Sequence, residues 1–91
     1  MEKEAQEILE IINKNGLHAR PASLFVSVAS KYESEIYVEK DGESINAKSI
    51  MGLLMLSATC GSTIKIIAKG ADAEEAIKEL KELVVNGFNE D

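Results

Sequence analysis

"NGLHARPAS", residues 15–23, is the junction between two different periodicities, and the chain can be read outward from it in both directions. Upstream, "EILEIIN" (residues 7–13) is short, rich in isoleucine and bounded by polar turn residues, the pattern of a β-strand. Asn15-Gly16 is turn chemistry. From His18 to about Tyr32 the apolar residues Ala22, Phe25, Val26 and Ala29 recur at helical spacing and predict a first helix. Pro21 suits the first turn of that helix, where N–H groups have no intrahelical acceptor. The residue before a proline resists helical angles, so two starts remain open, Ala19 and Pro21.

Further along, "SEIYVEK" (residues 34–40) alternates Ile36 and Val38 with Tyr37 and Glu39, a half-buried strand. Asp41-Gly42 is a hairpin signal, and "ESINAK" supplies the returning strand. "SIMGLLMLS" (residues 49–57) predicts a short helix with Ser49 as its N-cap. "STIKIIAKG" is a fourth strand, with Ile64, Ile66 and Ala68 on one face. Asp72, followed by Glu75, is expected to form a capping box at a last helix. Its apolar stripe is Ala73, Ala76, Ile77, Leu80, Leu83 and Val84, and Asn86-Gly87 is expected to end it. The order βαββαβα predicts an α+β open-faced sandwich, an antiparallel sheet covered on one face by three helices. Lys40, Lys65 and Lys69 are expected on the open face. A ferredoxin-like arrangement shares most of this order and is the alternative.

The 91 residues suffice for one core and predict a single domain, 1–91. Residues 1–6 are expected to be a frayed extension and 89–91 a polar tail. A net charge of −6, with the basic residues scattered, argues against nucleic acid, whose phosphates demand a clustered basic footprint. Ile50–Ala58, the longest nearly apolar run, is too short for a bilayer span. The acidic "MEKEAQEILE" lacks the basic and apolar regions of a secretory signal, so a cytoplasmic protein without membrane insertion is expected. One cysteine forms no intrachain disulfide, and one cysteine with one histidine builds no zinc site. Cys60 is expected to be a buried, inert thiol.

His18 is the only histidine of the chain. It stands at a helix start, where N–H groups and the helix dipole attract anions. A near-neutral imidazole is a competent nucleophile that can carry a phosphoryl group. Arg20, always charged and shaped to fit phosphate, would be a suitable neighbour. On the residues alone a second reading stands beside this one, a histidine that merely serves the turn or cap. The helix after Ser49 raises its own question. Ile50, Met51, Leu53, Leu54, Met55 and Leu56 surround it with apolar groups, and a two-layer domain cannot bury every side. Part of it is expected to be exposed as a docking patch.

"GLHARPA" (residues 16–22) resembles the active-site signature of the HPr family, the histidine phosphocarriers of the bacterial phosphoenolpyruvate:sugar phosphotransferase system. "NAKSIMGLLMLS" (residues 46–57) is similar to the second signature of that family, and the likeness runs from about Glu7 to Phe88. The resemblance implies an open-faced sandwich of four antiparallel strands and three helices. It implies that His18 accepts phosphoryl at Nδ1 from phospho-Enzyme I and passes it to a IIA protein or domain. Arg20 would pair with the phosphate, and the backbone N–H groups of Ala19 and Arg20 would complete its cradle. Ser49 aligns with the serine modified by a bifunctional HPr kinase/phosphorylase. Leu17, Ser23, Ser27, Ile50, Met51 and Leu54 would meet partners, a transcriptional regulator among them. The chain would then be a monomeric stoichiometric carrier rather than an enzyme, with no cofactor and no metal. Two alternatives remain: a mainly regulatory protein acting through Ser49, and a plain binding module phosphorylated at neither residue.

Overall fold

Strand alternation decides which side of the sheet is covered. In the structure, a computed structural model that describes residues 3–89, the elements run β1 (Glu4–Glu10), α1 (Ala19–Ala29), β2 (Glu35–Lys40), β3 (Glu43–Asn46), α2 (Ile50–Met55), β4 (Thr63–Lys69) and α3 (Ala73–Val85), with a short 3-10 turn at Gly87–Asn89. The strands form one antiparallel sheet in the order β1-β4-β2-β3. Ile36, Val38, Ile64, Ile66 and Ala68 are buried on its covered face. Against them pack Ala22, Phe25 and Ala29 of α1, Leu53 of α2, and Ala76, Ile77, Leu80 and Val84 of α3. The expected open-faced α+β sandwich is therefore the fold.

The first strand starts earlier than its hydrophobicity suggested. Glu4, Ala5 and Gln6, expected to fray, are registered opposite Lys69, Ala68 and Ile67. A seven-residue β4 offers ladder partners that far, and polar residues on an open face suffice to take them. The strand ends at Glu10, but Ile11 stays fully buried and bonded to the loop before β4, its N–H donating to Ser62 O at 2.8 Å. The remainder of the expected extension, residues 1–2, and residues 90–91 of the expected tail lie outside the described residues.

Two further expectations need correction. Asp72 precedes α3, yet its carboxylate makes no cap. It accepts instead from the Glu33 N–H at 2.9 Å, the Ser34 N–H at 3.0 Å and the Ser34 hydroxyl. Ser34 is buried, so its donors must be satisfied, and the Asp72 carboxylate is used for them rather than for the helix end. Lys40 shares the alternation of Ile36 and Val38 rather than the open face. Its side chain is only 19% exposed, and Nζ pairs with Asp41 at 2.9 Å. Lys65 and Lys69 do take the opposite alternation to Ile64, Ile66 and Ala68.

Candidate functional site

The turn between β1 and α1 is built around one carbonyl. Gly16 O accepts from the buried Asn13 Nδ2 at 2.7 Å and from the His18 N–H at 3.0 Å, while the Gly16 N–H donates to Asn13 O at 3.1 Å. Gly16 has φ +65°, a left-handed conformation that glycine adopts without Cβ strain. The next N–H, that of Leu17, donates to Ala58 O at 2.8 Å, which fastens the turn to the loop leading into β4. His18 then swings to extended angles (φ −86°, ψ −169°) as the N-cap of α1, and its carbonyl accepts from Ala22 N at 2.9 Å.

This settles the start of the helix at Ala19, with Arg20 helical despite the proline after it. Ala19 and Arg20 occupy the first turn, where backbone N–H groups have no intrahelical acceptor, and Pro21 contributes none. The His18 ring is half-buried and makes no capping hydrogen bond to the helix, whereas the Arg20 side chain is exposed. Imidazole, guanidinium and first-turn N–H groups thus stand within one turn of chain.

The second helix packs against the first. Ser49 is its N-cap, and Ser49 Oγ accepts from the Gly52 N–H at 3.1 Å. Gly52 lets the helix press onto β3, since a Cβ there would lie 3.3 Å from Ile45 Cβ. Only Leu53 is fully buried within the helix proper; Ile50, Met51 and Met55 are 42%, 67% and 74% exposed. Leu54 is half-buried against the core. Ser23 and Ser27 are exposed on α1.

Leu17, expected among the docking residues, is instead 5% exposed and part of the core, so it offers a partner almost no surface. Cys60, expected to be buried, is exposed in the turn between α2 and β4. That turn lies outside the sheet, and the apolar residues around Cys60 do not enclose it. Besides Ile50 and Met51, the exposed apolar residues include Met55, which the sequence places in the apolar helix but not among the docking residues, and Leu24, which the sequence does not single out. The available signal was spacing: Met55 follows Met51 by one helical turn, and Leu24 follows Arg20 in the same way.

The perturbed acids lie away from His18. Lys31 Nζ donates to Glu79 at 2.5 Å and the Tyr32 hydroxyl donates to the same carboxylate, so the Glu79 pKa falls below the ordinary glutamate value. The Glu79 bond is also the main reason that the Tyr32 phenol is pushed up to about 12. Asp72 is held below the usual aspartate value, first by the Ser34 hydroxyl and then by the Glu33 N–H. Each cluster ties α3 to the segment between α1 and β2. A cavity of about 470 Å³ lined by Glu33, Ser34, Lys69 and Asp72 lies at the opposite end of β4 from the His18 turn. Among the described residues no group of side chains could hold a metal ion, and no helix is long and apolar enough to cross a membrane.

A family model described as the phosphorylation site of the phosphotransferase-system HPr component matches residues 5–86. The chain belongs to the HPr family. It is 53% identical over 72 residues to the HPr-like protein Crh of Halalkalibacterium halodurans, covering 79% of this chain and 86% of that one. It is 45% identical over 85 residues to the phosphocarrier protein HPr of Neisseria meningitidis, covering 93% and 96%. Among solved structures, HPr from Thermoanaerobacter tengcongensis superposes with a TM-score of 0.93 at 52% identity, covering 96% of this chain and 98% of that one.

Proposed function

We propose that the chain is a stoichiometric phosphoryl carrier rather than an enzyme. His18 Nδ1 attacks the phosphoryl group of phospho-Enzyme I, the phosphorus–nitrogen bond to the donor breaks, and a new one forms on His18. The reverse exchange on a IIA protein or domain completes the transfer. The observation that carries this reading is the placement of His18 as the N-cap of α1, with Ala19 and Arg20 in the first turn. Two first-turn N–H groups and the Arg20 guanidinium would meet the transferred dianion there. The dipole of such a helix end contributes roughly 0.3–1 kcal/mol, enough to steady phosphate without trapping it.

Docking falls to the exposed apolar residues of α2, Ile50 and Met51 with Leu54 behind them, flanked by Ser23 and Ser27 of α1. Phosphate placed on Ser49 by an HPr kinase/phosphorylase would set a dianion beside that patch and weaken Enzyme I binding. The protein acts in the cytoplasm as a monomer, without a metal or cofactor. Crh of Bacillus subtilis, 43% identical, is described as a swapped dimer, so molar mass by light scattering tests the monomer.

The likeness to Crh of Bacillus subtilis, described as a catabolite-repression HPr, supports a second reading, in which regulation is the main role and would act through Ser49 and a transcriptional regulator. One experiment separates the two. Incubation with Enzyme I and labelled phosphoenolpyruvate should place one acid-labile phosphoryl group on the chain, and His18→Ala should abolish it. If several competent Enzyme I proteins leave the chain unlabelled while cells yield an acid-stable phosphate lost in Ser49→Ala, the regulatory reading replaces the carrier.

A further inference from the structure

Asn13 lies in the turn between β1 and α1, beyond the end of the strand at Glu10, and is only 5% exposed. Its backbone carbonyl accepts from Gly16 N and its side chain donates to Gly16 O, so one residue closes the turn from both sides. The same Gly16 carbonyl accepts from the N–H of His18. The direction in which His18 leaves the turn therefore depends on where that oxygen is held. The backbone clamp from Leu17 to Ala58 secures the other flank and does not involve Asn13.

We propose that Asn13 is a positioning residue for phosphoryl transfer at His18, acting through its amide bond to the Gly16 carbonyl. The proposal rests on the carrier reading. Loss of the amide donor leaves the hydrophobic core and the Leu17–Ala58 clamp in place but frees the Gly16 carbonyl to rotate, and small misplacements of a reacting group cost rate. The exposed residues of α1 and α2 are untouched, so affinity for Enzyme I should not change.

The test compares the wild-type chain, Asn13→Ala and the nearly isosteric Asn13→Asp, which keeps the volume but loses the donor. His18 labelling is measured with Enzyme I and phosphoenolpyruvate, and separately with phosphoramidate, a small phosphoryl donor that needs no docking. Each chain is assayed well below its melting temperature. The expected result is a kcat about tenfold lower at unchanged KM, the factor that about 1.4 kcal/mol represents, and slower reaction with phosphoramidate. Wild-type kcat in folded variants, or a change in KM alone, overturns the proposal. If neither variant folds, NMR coupling across the bond from Asn13 Nδ2 to Gly16 C=O in the unaltered chain decides the geometry, and its absence overturns the proposal. A wild-type chain labelled by phosphoramidate but not by Enzyme I refutes the carrier reading and leaves the Asn13 comparison readable.

Discussion

Gly16 and Ala58 approach so closely that a Cβ on Gly16 would lie 2.4 Å from Ala58 O and 2.8 Å from Thr59 Cα. The His18 turn is thus pressed onto the backbone leading into β4, and neither obstructing atom belongs to a side chain that could swing aside. Gly16→Ala also meets a left-handed φ of +65°. Strain and overpacking together should cost about 2–4 kcal/mol in urea unfolding. Labelling of His18 by Enzyme I should slow as the turn moves off its seat. A variant as stable as the wild type would show that the loop before β4 yields freely.

The exposed side of α2 gives a prediction about affinity rather than rate. Met51 and Met55 are 67% and 74% exposed one helical turn apart, so a charge there disturbs no core contact. Met51→Asp should raise the KM for the chain in the Enzyme I reaction roughly tenfold at unchanged kcat, the behaviour of a central docking contact. Met55→Asp should act in the same direction. Equal KM values for both variants and the wild type would move the docking surface elsewhere.

The strands and helices were legible because each has one buried face: Ile64, Ile66 and Ala68 announce β4, and the stripe from Ala73 to Val84 announces α3. The first half of β1 was not, because Glu4 and Gln6 lie on the uncovered face and their ladder partners are some sixty residues away in sequence. Asp72 was misassigned for a similar reason. A local rule places it as a cap, but the donors it serves, at Glu33 and Ser34, are brought to it only by the fold. Leu17 sat inside the signature that revealed His18, and nothing in that run distinguishes a residue that faces partners from one that fills the core. The first helix start was legible chemically, while the choice between Ala19 and Pro21 is made by the folded turn, which sets His18 as the N-cap.

Tyr32 and Lys31 converge on Glu79 from the segment that follows α1, which makes its junction with α3 sensitive to alkali. Tyr32→Phe should cost about 1 kcal/mol at neutral pH, the worth of one hydrogen bond. The folded phenol titrates near 12 against an ordinary 10.0, so this contribution is complete below pH 10 and is lost as pH rises toward 12. Urea unfolding of both proteins across that range should show the gap closing. A gap that stays constant through pH 12 would mean that the hydroxyl does not bond Glu79.

At the acid end the group to follow is Asp72, whose carboxylate holds Ser34 and the start of β2 against the entry of α3. Its folded pKa lies below the ordinary 3.8 because the Ser34 hydroxyl and the Glu33 N–H bond the charged form. A depressed carboxyl stabilises the fold above its unfolded pKa and loses that contribution as pH falls through the lower folded value. Asp72→Asn keeps the shape but replaces one acceptor oxygen with a donor that faces N–H groups. Its melting temperature should therefore lie below that of the wild type at pH 7. The two melting curves should draw together as pH drops below the ordinary aspartate range, because protonation deprives the wild type of the same acceptor. Melting temperatures measured from pH 7 downward decide it: a gap that persists or widens in acid would show that Asp72 acts by packing, not by charge.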